Sequence, residues 1–338
     1  MKTLLFALVL ALTAPSLEDW QDPGVFQKNR LPMAATFTTD QQLSQSLDGL
    51  WKFGFYDTPL LRTKGFEAVT FDDSAWGTMP VPGMWELNGY GDPLYLNIGY
   101  AWRGNYENNP PIPPIEDNHV GQYRRHFEID PSWAGKQICL CIGSATSNVR
   151  VWINGKEVGY SEDSKLETRF DITKYVKTGD NVIAMEVFRW CDGSYLEDQD
   201  FWRFSGIARG IYVYTREKKR LEDVHVVADM SGNINVTAEV SKGVSAVEFS
   251  VYGKDGLVTN FNIPVMKKFK ESEAGNVLLE GSSHVDSPLL WSAEEPNLYT
   301  LVVKALDKKG VLESTSFEFG FRSVEIVNSQ LLVTENQS

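Results

Sequence analysis

Almost the whole chain reads as short apolar runs broken by Gly, Pro, Asn and Asp. Runs of that length, closed off by turn residues, bury their side chains as strands rather than as helices. The clearest are residues 137–143, 149–160 and 181–188. The middle run carries Asn154-Gly155 between two apolar alternations, the strongest short hairpin signal. Residues 170–176 read as a brief helical or turn segment, and Gly179-Asp180 turns the chain into the next strand. Such a pattern predicts an antiparallel sandwich. From about Arg220 the register changes: residues 224–228, 234–240, 246–252 and 299–306 read as strands, with no amphipathic helix between them. About a hundred residues of this kind predict an immunoglobulin-like sandwich, here without the paired cysteines of antibody domains. The expected fold class is all-β.

A length of 338 residues suggests two domains, or three at most. With 42% hydrophobic and 12% aromatic residues the chain can build real cores. A formal net charge of -13 argues against nucleic acid and anionic membranes, which want clustered Lys and Arg. Residues 216–220 are the one basic cluster and read as a solvated linker. Met1-Lys2-Thr3 precedes a nine-residue apolar run that is too short to span a bilayer, with Ala14 and Ser16 shortly after. That is the pattern of a secretory signal peptide, so residues 1–16 are expected to be removed on export to the periplasm or exterior. No later stretch is long and apolar enough for a membrane span. Cys139, Cys141 and Cys191 make an odd count with no metal spacing, and read as small buried hydrophobes.

Residues 189–207 are the densest in chemistry. Six carboxylate or guanidinium side chains stand among five aromatics and two glycines. Charges are rarely buried unless paired, and rings are rarely left together in water, so the mix suggests a polar site walled by aromatics. The segment resembles one in the sugar-binding domain of glycoside hydrolase family 2 β-galactosidases. Residues 19–25 (DWQDPGV), 47–53 (LDGLWKF), 95–98 (YLNI) and 290–299 (LWSAEEPNLY) resemble that family too, in order and at compatible spacing. The resemblance runs from about Asp19 to about Leu332. It implies a jelly-roll sugar-binding domain at 17–218, an immunoglobulin-like domain at 219–324, and at 325–338 the cut-off start of a (β/α)₈ barrel. The family's catalytic glutamates lie on that barrel, which typically needs about 250 residues. Thr334-Glu335-Asn336-Gln337 departs from the family's Asn-Gly-Lys-Pro turn, as a truncated or frameshifted coding sequence would.

The resemblance also implies residue roles. Asn97 becomes a galactose contact delivered by a loop, although on its residues alone it reads as a turn Asn bonding its own backbone. Asp200 becomes a sodium ligand and a partner of the sugar's primary hydroxyl, the remaining sodium ligands lying on the barrel; its alternative is an ion pair with Arg203 or Arg189. Asp19, Asp22, the Val25 carbonyl, Glu162 and Asp192 converge on a divalent cation, magnesium or calcium, unless they are turn and cap acids. Glu162 and Asp22 stand where amides are usual, which makes the set more acidic. Glu197, Asp198 and Asp200 cluster on one short segment and do not read as an acid and nucleophile pair, so no catalytic residue is assigned and no organic cofactor is expected. His119, His126, His225 and His284 have no mutual metal spacing, and Trp85, Trp102 and Trp202 either stack on sugar or pack in the core. Asn235-Val236-Thr237 is a sequon.

The expected function is the N-terminal portion of a β-galactosidase, which hydrolyses terminal β-galactosides such as lactose, inactive by itself. Its rivals are a stand-alone galactoside-binding module and a subunit that complements a separate catalytic chain. Expected partners are β-galactosides, a catalytic chain or further copies in a homo-oligomer.

Overall fold

The computed structural model describes residues 17–33, 38–197 and 199–333. The apolar leader, Asp198 and residues 334–338 lie outside the described residues. The fold is all-β, in two compact units. Among the described residues, the first takes in 17–33, 45–134, 138–197 and 199–213; the second takes in 38–44, 135–137 and 214–333.

Two antiparallel sheets form the first unit. The larger runs in the order Gln27–Lys28, Lys156–Ser161, Val149–Ile153, Gly179–Phe188, Val120–Ile129, Gly49–Tyr56, Gly77–Val81. The other is ordered Thr168–Asp171, Gln137–Thr146, Gly206–Arg216, Ser44–Ser46. Between them lie Trp51, Phe53, Trp85, Tyr123, Leu140, Val151, Ile183 and Ile211. Asn154 and Gly155, both at positive φ, close the expected hairpin. Of the helical or turn segment expected at 170–176, residues 173–175 form a turn, but Phe170 and Asp171 end a strand, 168–171, paired with 139–142. Tertiary pairing overrides the local turn signal there, and the turn begins only after Asp171.

Gly179–Phe188 pairs with Val120–Ile129 over ten residues. Asn181 to Phe188 are buried without alternation. The outer face of this sheet is roofed by the segment around residues 62–73, which the polar residues of that face hold down. Gln122 donates to Glu186 (2.7 Å) and to the Thr63 carbonyl (2.9 Å). Arg124 donates to Asp73 (2.9 Å) and to the carbonyls of Phe66 and Ala68. On the inner face a Cβ at Gly121 would stand 2.4 Å from the Trp85 ring and 2.9 Å from Phe53. Gly121→Ala should therefore cost about 1–3 kcal/mol by overpacking. Urea unfolding of the two chains measures it, and an unchanged midpoint would mean that the rings yield freely.

In the second unit two four-stranded sheets face each other. One is Leu221–Ala228, Asn233–Val240, Val277–His284, Lys270–Glu271; the other is Gly256–Pro264, Ala246–Gly253, Tyr299–Asp307, Gly310–Phe319. Ile234, Val236, Ala238 and Val240 alternate inward against Phe249, Leu301 and Val303. The basic cluster is solvated only at Lys218 and Lys219. Arg216 is buried and pairs with Glu222, as does Arg220 at 2.8 Å, while Lys219 reaches Asp307. An Asn328-Ser329 turn at positive φ joins Val324–Val327 to Gln330–Val333. Among the described residues no helix is long and apolar enough to cross a membrane.

Candidate sugar-contact and cation sites

Residues Leu94–Leu96 and Phe201–Arg203 form a separate two-stranded ribbon in the register Leu94↔Arg203, Tyr95↔Trp202, Leu96↔Phe201. One step further along that register stand Asn97 and Asp200. Both are exposed. Two residues about a hundred positions apart thus share one end of a ribbon. Asp200 accepts a 2.7 Å hydrogen bond from the Tyr95 hydroxyl. Arg189 lies instead against Asp117 (3.2 Å) and over the Trp190 ring. Trp85 and Trp102 are buried in the core, whereas Trp202 is 54% exposed. Its ring stacks on Phe204 at 5.8 Å and leans on Tyr95 at 5.6 Å. The ribbon therefore presents an amide, a carboxylate and an open indole together, the donor, acceptor and apolar face that a sugar ring uses.

Beneath it Trp190 and Tyr195 of the 189–207 segment pack in a small aromatic core. Trp102 packs on Trp190 (5.2 Å) and Tyr195 (5.0 Å). Glu197 accepts from the backbone N–H (3.0 Å) and hydroxyl of Ser164, a bracing role. The pocket between Trp102, Trp190, Phe201, Phe204 and Ser164 encloses about 50 Å³. That is room for a few waters, against about 300–1,000 Å³ for ligand pockets. A sugar would meet an open face here.

A second constellation follows the ends of two strands of the larger sheet. Glu162 follows Lys156–Ser161, and Cys191-Asp192 follow Gly179–Phe188. One ligand atom from each of Glu162, Cys191 and Asp192 lies within 4.8 Å of the others. Tyr160 donates to Glu162 Oε1 (2.7 Å) and is itself held by Asn148 (3.1 Å). Burial, reinforced by the Asp192 carboxylate and opposed by the Tyr160 bond, pushes the Glu162 carboxyl up to about 8. Asp192 is raised as well, by burial first and then by Asp22. Asp192 is only 7% exposed, and its Oδ1 has no hydrogen-bond partner. A Cβ on Gly193 would come within 2.7 Å of Glu162 Oε2, so a glycine keeps this cradle open. An orphaned buried oxygen in such a cradle fits a cation.

The segment that carries the rest of the expected set lies beside Asp192, whose N–H donates to the Trp20 carbonyl (2.9 Å). Asp22 accepts from the Gly24 N–H (3.0 Å), and the Val25 N–H bonds the Asp22 carbonyl (2.8 Å). Asp19 is turned to Lys28 (2.6 Å) and Arg150 (2.5 Å). Burial opposes its charge, yet those two cations hold its carboxyl below the usual range. Cys191 was read as a buried hydrophobe, and it is buried among Trp20, Val120 and Phe188. Its place beside two carboxylates was not foreseen. The adjacent Asp192 was the only signal for it, because Glu162 is far off in sequence. His119 pairs with the nearby Asp117, and His126 with Asp180 on the neighbouring strand.

Residues 44–217 match the sugar binding domain of the glycosyl hydrolases family 2, and residues 219–322 match a second domain of the same family. The chain belongs to glycosyl hydrolase family 2. It is 36% identical to a β-galactosidase of Priestia megaterium over 348 residues, covering 95% of this chain and 34% of that protein. It is also 36% identical to a β-galactosidase of Halalkalibacterium halodurans, covering 91% and 32%. Among solved structures, a Bifidobacterium dentium β-glucuronidase complexed with coumarin-3-O-glucuronide aligns with a TM-score of 0.65 at 18% identity, covering 89% of this chain and 52% of that one. A Ruminococcus gnavus β-glucuronidase in complex with D-glucaro 1,5-lactone aligns with a TM-score of 0.62 at 21% identity, covering 89% and 49%. At those identities the likeness is one of fold. The chain matches the N-terminal portion of family 2 β-galactosidases and spans about a third of the length of these relatives.

Proposed function

We propose that this chain supplies the sugar-contacting front of a β-galactosidase, with Asn97 and Asp200 reaching the terminal galactose and catalysis residing in a separate portion. The observation that carries this reading is the ribbon register, which sets Asn97 beside Asp200 and next to the exposed Trp202. Asp200 would contribute one hard oxygen to a sodium ion. Glu162 and Asp192, with Asp22, Asp19 and the Val25 carbonyl from the segment whose Trp20 carbonyl accepts the Asp192 N–H (2.9 Å), would hold a divalent cation, magnesium or calcium. The apolar leader supports export of the mature chain.

The chain alone should not turn over an activated aryl β-galactoside. Each hydrogen bond on an open face is worth about 0.5–1.5 kcal/mol, while association costs on the order of 4 kcal/mol or more. Galactose should accordingly bind at millimolar affinity or worse, with shifts confined to the ribbon in chemical-shift mapping. Turnover that survives purification and is lost on Asp200→Asn would overturn this reading. A micromolar site abolished by Asn97→Ala would favour the stand-alone binding module, and turnover restored only by a separately made catalytic chain would favour the complementing subunit. N-terminal sequencing of secreted material should begin near Leu17, and an intact Met1 on exported protein would exclude the leader.

A further inference from the structure

We propose that Cys191, Glu162 and Asp192 form a site for a thiophilic divalent cation of the zinc class, with the Cys191 thiolate as a direct ligand. This rests on the divalent-cation reading of the same cluster and deepens it, because that reading supplies oxygen donors alone. The three ligand atoms come from two segments and lie within 4.8 Å of one another. All three residues are less than a tenth exposed. Asp192 Oδ1 is buried, and among the described residues the Asp192 carboxylate faces no side-chain donor but the protonated Glu162 carboxyl, whose proton a cation would replace. Gly193 keeps the space beside Glu162 Oε2 and Cys191 Sγ clear, since a Cβ there would stand 2.7 Å and 3.4 Å from those atoms.

Tyr160, braced by Asn148, engages Glu162 Oε1 and leaves Oε2 for the cluster. Partners of this kind orient metal-ligating groups. Among the described residues the Cys191 thiol donates one hydrogen bond, to the Ser147 carbonyl at 3.8 Å. Magnesium and calcium take hard oxygen ligands, whereas one sulfur with two carboxylates matches zinc and its spectroscopic stand-ins cobalt and cadmium. Binding replaces the thiol proton and any proton held between the carboxylates, and these leave to solvent.

The full chain, stripped with chelator, is titrated with Co²⁺, Zn²⁺, Mg²⁺ and Ca²⁺. Cobalt should raise a thiolate-to-metal absorption band that zinc abolishes by displacement. The band should persist in a Cys139→Ala, Cys141→Ala chain and vanish in Cys191→Ser. Zinc affinity should fall at least about 10-fold in Cys191→Ser, since loss of even an orienting partner costs about 10–100-fold. If Cys191→Ser does not fold, the cobalt spectrum of the Cys139→Ala, Cys141→Ala chain decides. Magnesium or calcium binding with no sulfur band would overturn the inference and leave the oxygen-ligand reading standing. Binding of none of the four ions would overturn both and leave two carboxylates sharing a proton.

Discussion

Free of metal at pH 8, the Glu162→Gln chain should be more stable than its parent by roughly 2–4 kcal/mol. The Glu162 carboxyl titrates near 8 in the fold against an ordinary 4.5. Between those values the folded chain binds a proton that the unfolded chain has released. The parent's stability is therefore fully present below about pH 4.5 and is lost as pH rises through 8. A neutral amide at position 162 removes that slope. It can still accept the Tyr160 hydroxyl and can donate to the orphaned Asp192 carboxylate. Urea unfolding in chelator at pH 4.5, 6.5 and 8 measures the difference, which should be near zero at the lowest pH and largest at the highest. Equal curves at every pH would mean that Glu162 ionises freely. Added zinc should restore the parent at pH 8, where it competes for the deprotonated groups.

Arg124→Ala should be the most damaging single change in the first unit, at about 3–5 kcal/mol. Its guanidinium is buried and tied to Asp73, to the Phe66 and Ala68 carbonyls, and to the Phe71 ring at 5.3 Å. Truncation strands a carboxylate and two carbonyls together. Arg124→Lys should recover only part of the loss, because a single ammonium cannot serve three acceptors in the guanidinium's plane. Denaturation midpoints give the magnitude. Hydrogen exchange should show amides of the 66–73 segment opening first, and uniform loss of protection would show that Arg124 acts through the whole sheet.

The strands were legible because alternation and turn residues mark them locally. Asn154-Gly155 and the inward row Ile234, Val236, Ala238 and Val240 needed nothing but period two. What escaped the sequence depended on distant partners. Residues 168–171 are strand because 139–142 lie beside them. Asn181 to Phe188 are continuously buried because a distant segment roofs their outer face. At the sites, resemblance supplied Asn97 and Asp200, and the ribbon register explains why they are neighbours. Cys191 was chemically ambiguous in the sequence, since a small buried thiol and a ligand look alike until a carboxylate from 29 positions upstream is set against it.

The ribbon has a consequence for how such a chain can vary over time. Asn97 and Asp200 meet through a count of residues along two short arms, Tyr95 opposite Trp202 and Leu96 opposite Phe201. The residues connecting those arms do not enter that count. Insertions and deletions between Gly99 and Leu196 can accumulate without moving the pair, provided that the sheets tolerate them. One residue gained or lost within either arm would turn Trp202 to the opposite face and part the amide from the carboxylate. Length drift in descendants should therefore be free in the connecting loops and forbidden across six residues.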